Sequence, residues 1–303
     1  MIVNNLFPVF ALILFGNLLK RWRLTDDVFL KTADRLTYYI FFPLLLFWKI
    51  GGAPTTLFIN SCLYKAVICS VLTVYVLSTI FIKLYKVPDY KAGSFSQSCY
   101  RFNSYIGVAI VLNAMGEEGV KHFAILIGII IPIINVLCVS TLTWFSEKQI
   151  LPLKRIGQIV RALISNPLIL ACFGGILYAN LHEGFPVFID STLKLSSLVA
   201  LPLAMLSIGG ALTPGNIKNH FKLSLISSIF KLLVLPVTGY LFLIAFGVSE
   251  FILKIGLIYF SLPTSPALYI LSSQLNSDTD LASASIALST ILSFFSLSFA
   301  LLY

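Results

Sequence analysis

The chain has 303 residues, 58% of them hydrophobic and only 11% charged, with a mean hydropathy of +0.95. Those proportions exclude an ordinary soluble domain, which is near half apolar and about a quarter charged. The net charge of +9 is scattered over short segments between apolar runs, so it calls for no nucleic-acid partner.

The runs are about 18 to 25 residues long, the length an α-helix needs to cross roughly 30 Å of hydrocarbon, and lack the ten-residue alternation of an outer-membrane barrel. In chain order they predict ten membrane-spanning helices, at about 3–20, 33–50, 58–82, 93–114, 122–145, 165–181, 193–213, 223–246, 251–275 and 280–302. The expected fold is all-α, a single transmembrane transporter domain over 1–303. The first run has no basic stretch before it and positive charge after it, as in a retained helix and unlike a cleaved signal peptide. Cys62, Cys69, Cys99, Cys138 and Cys172 lie singly within the runs, without metal-ligand spacing, as small buried hydrophobes do.

Short cytoplasmic loops carry the excess of lysine and arginine. Here every second loop is basic: Lys20, Arg21, Arg23, Lys31 and Arg35; Lys83, Lys86 and Lys91; Lys148, Lys154, Arg155 and Arg161; Lys218 and Lys222. Both termini are therefore expected outside, in a multi-pass protein of the plasma membrane, the inner membrane of a bacterium.

A shift of 159 residues lays Pro8 on Pro167, Gly16 on Gly175, Leu36 on Leu195, Pro43 on Pro202, Leu44 on Leu203 and Gly51 on Gly210. FPVFALILFGNLLK and NPLILACFGGILYA read as two copies of one helix, YIFFPLLLFWKIGG and SLVALPLAMLSIGG as two copies of the next. The halves, 1–147 and 162–303, hold five runs each, joined by the basic loop from Glu147 to Arg161. An odd number of spans makes the second half enter from the opposite side, giving two inverted five-helix repeats, as in many secondary transporters.

In such folds the site lies near the midplane, where matching helices are interrupted. Span four, GSFSQSCYRFNSYIGVAIVLNAMG, is polar through its first half. Span nine, LKIGLIYFSLPTSPALYILSSQL, carries Pro263 and Pro266 around Thr264 and Ser265. At 1.5 Å per residue, Asn103 lies about 15 Å and Pro263 about 18 Å into its span, both near the bilayer centre. A half-helix restarting after each break aims its unpaired N–H groups and positive dipole end at the centre, which favours an anion. The candidate substrate site is Arg101, Asn103, Ser104, Gly107, Pro263, Thr264, Ser265 and Pro266. Asn103, Ser104, Thr264 and Ser265 would give directional hydrogen bonds and Arg101 charge. The alternative is a proline kink capped by polar residues.

Lys231, about nine residues into span eight, is an ionisable group at mid-depth and hence a candidate for coupling or counter-charge. Its other reading ties the ammonium to carbonyls freed by Pro236 or by the broken helices. Lys65 is close enough to an interface to snorkel. Asn135, three after Pro132, either lines the cavity or hydrogen-bonds between helices. None of the twelve acidic residues lies deep in a span, and His122, His182 and His220 sit at or outside the interfaces. No metal site, cofactor or catalytic residue is expected. Asp278 and Asp280 resemble the acidic pair of a metal-dependent transferase, against the simpler reading as a cap opening span ten.

Over its full length the chain resembles the auxin efflux carrier family of permeases, through FPVFALILFGNLLKR, RLTYYIFFPLLLF, YRFNSYIG, FKLLVLP and SLPTSPALYILSSQLNSDTDLASASIALST. The resemblance implies a fold similar to sodium–proton antiporters and bile acid/sodium symporters. Spans 1, 2, 6 and 7 would then be scaffold and the homodimer face, and the rest a moving domain in which spans 4 and 9 cross. It also implies that Asn103 belongs to the substrate site. Ala109 stands where many members have proline, so the break in span four rests on Asn103, Ser104 and Gly107. Ala267 stands where many have asparagine, leaving Ser265 or Thr264 in that role.

The expected function is a secondary transporter of small organic anions, mono- or dicarboxylates, by alternating access, with the lipid bilayer as its surroundings and no enzymatic activity. The absence of buried carboxylates weighs against Na⁺ coupling. The alternatives are a membrane-embedded sensor or scaffold keeping the carrier fold, and a metal-dependent membrane transferase at Asp278 and Asp280.

Overall fold

The computed structural model describes residues 2–54, 61–145, 157, 160–161, 163–212 and 215–302. Lys148, Lys154, Arg155 and the expected ends of the two halves at 147 and 162 lie outside the described residues. Every regular element among the described residues is helical. Among the described residues, six stretches are long and apolar enough to cross a membrane: Val3–Arg21, Ser61–Leu84, Asp89–Trp144, Val187–Ala211, Asn219–Ala245 and Thr279–Leu302; Pro167–Leu181 is a shorter apolar helix.

α1 (Ile2–Arg21) ends on Lys20 and Arg21, cations at its negative dipole end. Asp26 opens α2 (Asp27–Leu36) by accepting a hydrogen bond from the Phe29 amide at 2.7 Å. A π turn, Thr37–Phe41, leads into α3 (Phe42–Gly51), which has Pro43 in its first turn. α4 is Ser61–Leu84, α5 Asp89–Tyr100 and α6 Ser104–Trp144, the last broken at Gly116 with φ 67° and ψ −161°. α7 is Pro167–Leu181, capped by Asn166, and α8 is Val187–Ala211. α9 (Gly215–Ile229) passes through a second π turn, Phe230–Val234, into α10 (Leu235–Ala245). α11 (Glu250–Ser261), α12 (Ala267–Gln274) and α13 (Thr279–Leu302) complete the chain.

Both π turns immediately precede a helix with proline at its second position, Pro43 and Pro236. A proline ring clashes with the carbonyl four residues before it and offers no N–H, and a widened turn relieves both. At the second turn that carbonyl is Leu232 O, which accepts from Ser296 Oγ at 3.1 Å.

The chain divides into two compact units, one of Met1–Asn60, Ser104–Ile131 and Ile164–Leu212, the other of Ser61–Asn103, Pro132–Leu163 and Thr213–Tyr303. In the first, α1 packs on α8 and α3 on α7. Gly16 meets the backbone of Leu206, where a Cβ would overlap the carbonyl, and Gly175 meets Phe47 and Ile50. Asn17 Nδ2 donates to Gly209 O and Leu212 O, both at 3.2 Å. Ser104–Ile131, which the family resemblance would put in a moving domain, belongs to this unit with spans 1, 2, 6 and 7. The Tyr105 ring stands edge-on to Phe42 with centroids 4.5 Å apart, and Asn113 Nδ2 donates to Asn5 O at 3.2 Å.

In the second unit α9 packs on α13 and α4 on α10. The hydroxyls of Ser224, Ser227 and Ser285 bond across the first pair at 3.3 and 3.4 Å, small residues letting the helices approach.

Candidate functional site

The second unit contains two helix interruptions. α5 stops at Tyr100 and the chain is non-helical through Arg101, Phe102 and Asn103. α11 stops at Ser261 and α12 starts at Ala267. Backbone freed at such breaks has no water to bond in hydrocarbon and must find partners in the protein. Here the breaks satisfy each other. The Asn103 amide donates to Pro263 O at 2.9 Å, and Thr264 Oγ1 donates to Ser98 O at 2.9 Å. The Thr264 amide donates to Ser289 Oγ at 3.1 Å. The Phe102 ring stands at 60° to Tyr259, centroids 4.7 Å apart.

Asn103 and Thr264 are buried, whereas Arg101 and Ser265 are partly exposed. Ser265 Oγ accepts from the Ala267 amide, the first of α12, at 3.3 Å, which leaves its own proton to donate. Thr264 has already given its proton to Ser98. The Arg101 guanidinium donates to Gln97 Oε1 at 3.0 Å and Asn135 Oδ1 at 3.2 Å. Arg101, Asn103, Asn135, Lys231 and Pro263 to Pro266 thus belong to one compact unit. Ser104 and Gly107 are buried in the first turns of α6, in the other unit. Gly107 is inside regular helix, so the interruption lies one turn before it.

Lys231 is fully buried in the second π turn, and its Nζ donates to Phe260 O at 3.1 Å. Of the carbonyls the sequence offered it, Lys231 takes one at the end of the broken helix; the one freed by Pro236 is served by Ser296.

Sequence reasoning missed Gln97, Ser289 and Tyr259. Gln97 was within reach, since it stands four residues before Arg101 on one helix face. Nothing local marks Ser289. The Tyr259 hydroxyl is buried with no hydrogen-bond partner among the described residues, the kind of group a polar ligand or water satisfies. Lys49 was missed as well. In the first unit it is buried over the Trp48 ring, 3.7 Å from the centroid, and paired with Glu117; Trp48 Nε1 donates to Asp190 Oδ1 at 2.7 Å.

Asp278 Oδ1 accepts from the Leu281 amide at 2.9 Å and so caps α13; its amide donates to Tyr90 O at 3.0 Å, and His220 Nδ1 is 4.0 Å from its second oxygen. A cavity of about 600 Å³, lined by Leu232, Pro236, Tyr240, Leu257, Phe295 and Phe299, is apolar and contains none of the candidate residues.

A strongly apolar chain, helical in every regular element among the described residues, with two helix breaks that bond each other, has the build of a membrane carrier. The chain belongs to the family described as membrane transport protein, whose model matches residues 1–301, the family of the auxin efflux carrier permeases. It is similar to an uncharacterized transporter of Methanocaldococcus jannaschii, 24% identical over 293 residues that cover 94% of this chain and 93% of that one. It is a multi-pass membrane transport protein.

Proposed function

We propose that this transporter is a secondary carrier of small organic anions, mono- or dicarboxylates, working by alternating access around the two helix breaks. Its ten spans form two inverted five-helix repeats with spans 4 and 9 crossing. Arg101, Asn103, Ser104, Gly107 and Pro263 to Pro266 are its substrate site.

The observation that carries this is the reciprocal bonding of the breaks, Asn103 to Pro263 and Thr264 to Ser98. Such an arrangement leaves restarted helix ends and the Ser265 and Arg101 side chains for an anion.

The 159-residue register adds support. Shifted by it, Asp27–Gly51 falls on 186–210, against α8 at Val187–Ala211, and α5 falls on 248–259, against α11 at Glu250–Ser261. The contact of Gly16 with Leu206 becomes that of Gly175 with Phe47, helix roles exchanged, since Phe47 and Leu206 are themselves 159 apart. A pseudo-two-fold repeat has that property.

The test is a thermal-shift screen of organic acids on the purified protein in detergent. At least one acid should raise the melting temperature by about 3 °C, and Asn103→Ala and Ser265→Ala should each abolish that rise while melting cooperatively. Undiminished shifts in both variants would contradict the site.

A further inference from the structure

In carriers built on broken helices, coupling Na⁺ is held by unwound carbonyls and by the C-terminal ends of half-helices. The last carbonyls of a half-helix have no amide partner, and the negative end of its dipole is there. The second unit includes two such ends, α5 at Tyr100 and α11 at Ser261, and at α11 a lysine of the protein bonds one of the carbonyls. Arg101 follows directly on α5, its guanidinium held by Gln97 and Asn135. Lys231 reaches α11 from another helix, fully buried, with Nζ on Phe260 O at 3.1 Å.

A buried ammonium is costly unless something negative compensates it. Among the described residues no carboxylate pairs with Lys231. What faces it is the carbonyl-rich end of α11. We infer that Lys231 is a tethered cation occupying the position a coupling ion would otherwise take at the α11 break, so that this carrier is held together and cycles without Na⁺. The inference rests on the carrier function proposed above and deepens it. Lys231 is a positioning residue: it fixes the break beside which Pro263 to Pro266 stand and leaves the substrate to Asn103, Ser265 and Arg101. A Na⁺ at the same carbonyls would have to displace the ammonium or be repelled by it.

The experiment compares melting temperatures of the purified full-length protein in NaCl and in choline chloride at equal ionic strength. The parent protein should melt within about 1 °C in the two salts. Lys231→Gln, which keeps a donor toward Phe260 O but no charge, should melt lower in choline, and NaCl or methylammonium chloride should restore it by about 3 °C or more. Lys231→Arg should keep the parent's indifference to cation. A purely structural hydrogen bond would leave Lys231→Gln stable and indifferent to cation. That result, or Na⁺-dependent stabilisation of the parent, overturns the inference. If Lys231→Gln fails to fold in choline, growth and purification in NaCl should recover it, and failure in both salts counts against the tethered-cation role. Organic-acid shifts measured on the same samples report on the anion site separately.

Discussion

Thr264 shows what single residues add to the pattern visible in the chain. Pro263 and Pro266 announce a break, but the Thr264 hydroxyl is committed to Ser98 O, 166 residues away, and no local pattern carries that. Thr264→Val should strand a buried carbonyl and cost about 1–3 kcal/mol, while Thr264→Ser should cost well under half of that; melting curves in detergent measure both. Gly116 makes a conformational point. Its φ of 67° with ψ of −161° lies in a region open essentially to glycine, and a Cβ there would touch nothing. Gly116→Ala should therefore lose about 1–3 kcal/mol through backbone strain alone. A variant as stable as the parent would show that the turn relaxes to another conformation.

Among elements, the interrupted helices were the most legible part. A span polar through its first half and one with two prolines in four residues cannot run as regular helices through hydrocarbon. The exact interruption was less legible, because Asn103, Ser104 and Gly107 all suit a break. The structure stops α5 at Tyr100 and has Gly107 inside α6, since the amide of Asn103 is what pairs with Pro263. The Lys49–Glu117 pair was illegible, as α3 and the turn at Gly116 are separated by a whole hairpin of sequence. Lys49 is buried and Glu117 is largely exposed. Glu117→Gln should thus be the more damaging change, about 1–2 kcal/mol, by leaving a buried ammonium without its partner; Lys49→Met frees only a carboxylate that water can solvate. Equal melting temperatures for the two variants would contradict this asymmetry.

At the scale of the whole molecule, the proposed duplication rests on prolines and glycines that share a 159-residue register, and two of those glycines stand where packing demands them. Gly16 and Gly175 are conspicuous in the sequence for the reason they matter in the structure: each lets a neighbouring backbone come close, α8 to α1 and α3 to α7. Gly16→Ala should be the costlier of the two, about 1–3 kcal/mol, because its Cβ meets main chain that cannot rotate away, whereas Gly175→Ala meets partly the side chain of Ile50. The division of the chain was not readable. Nothing in residues 104–131 announces that they cluster with spans 1, 2, 6 and 7, since that follows from contacts such as Phe42 with Tyr105 and Asn5 with Asn113.

The central claim is that the paired breaks form an anion site that moves its ligand across the bilayer. Uptake of radiolabelled organic acid into proteoliposomes, using the acid that most stabilises the protein, tests it most directly. The account predicts saturable uptake, independent of Na⁺ and reduced at least about tenfold in Asn103→Ala, the loss expected when a directional hydrogen bond worth about 1.4 kcal/mol is removed. Uptake no greater than in protein-free vesicles, or undiminished uptake by Asn103→Ala, would contradict it.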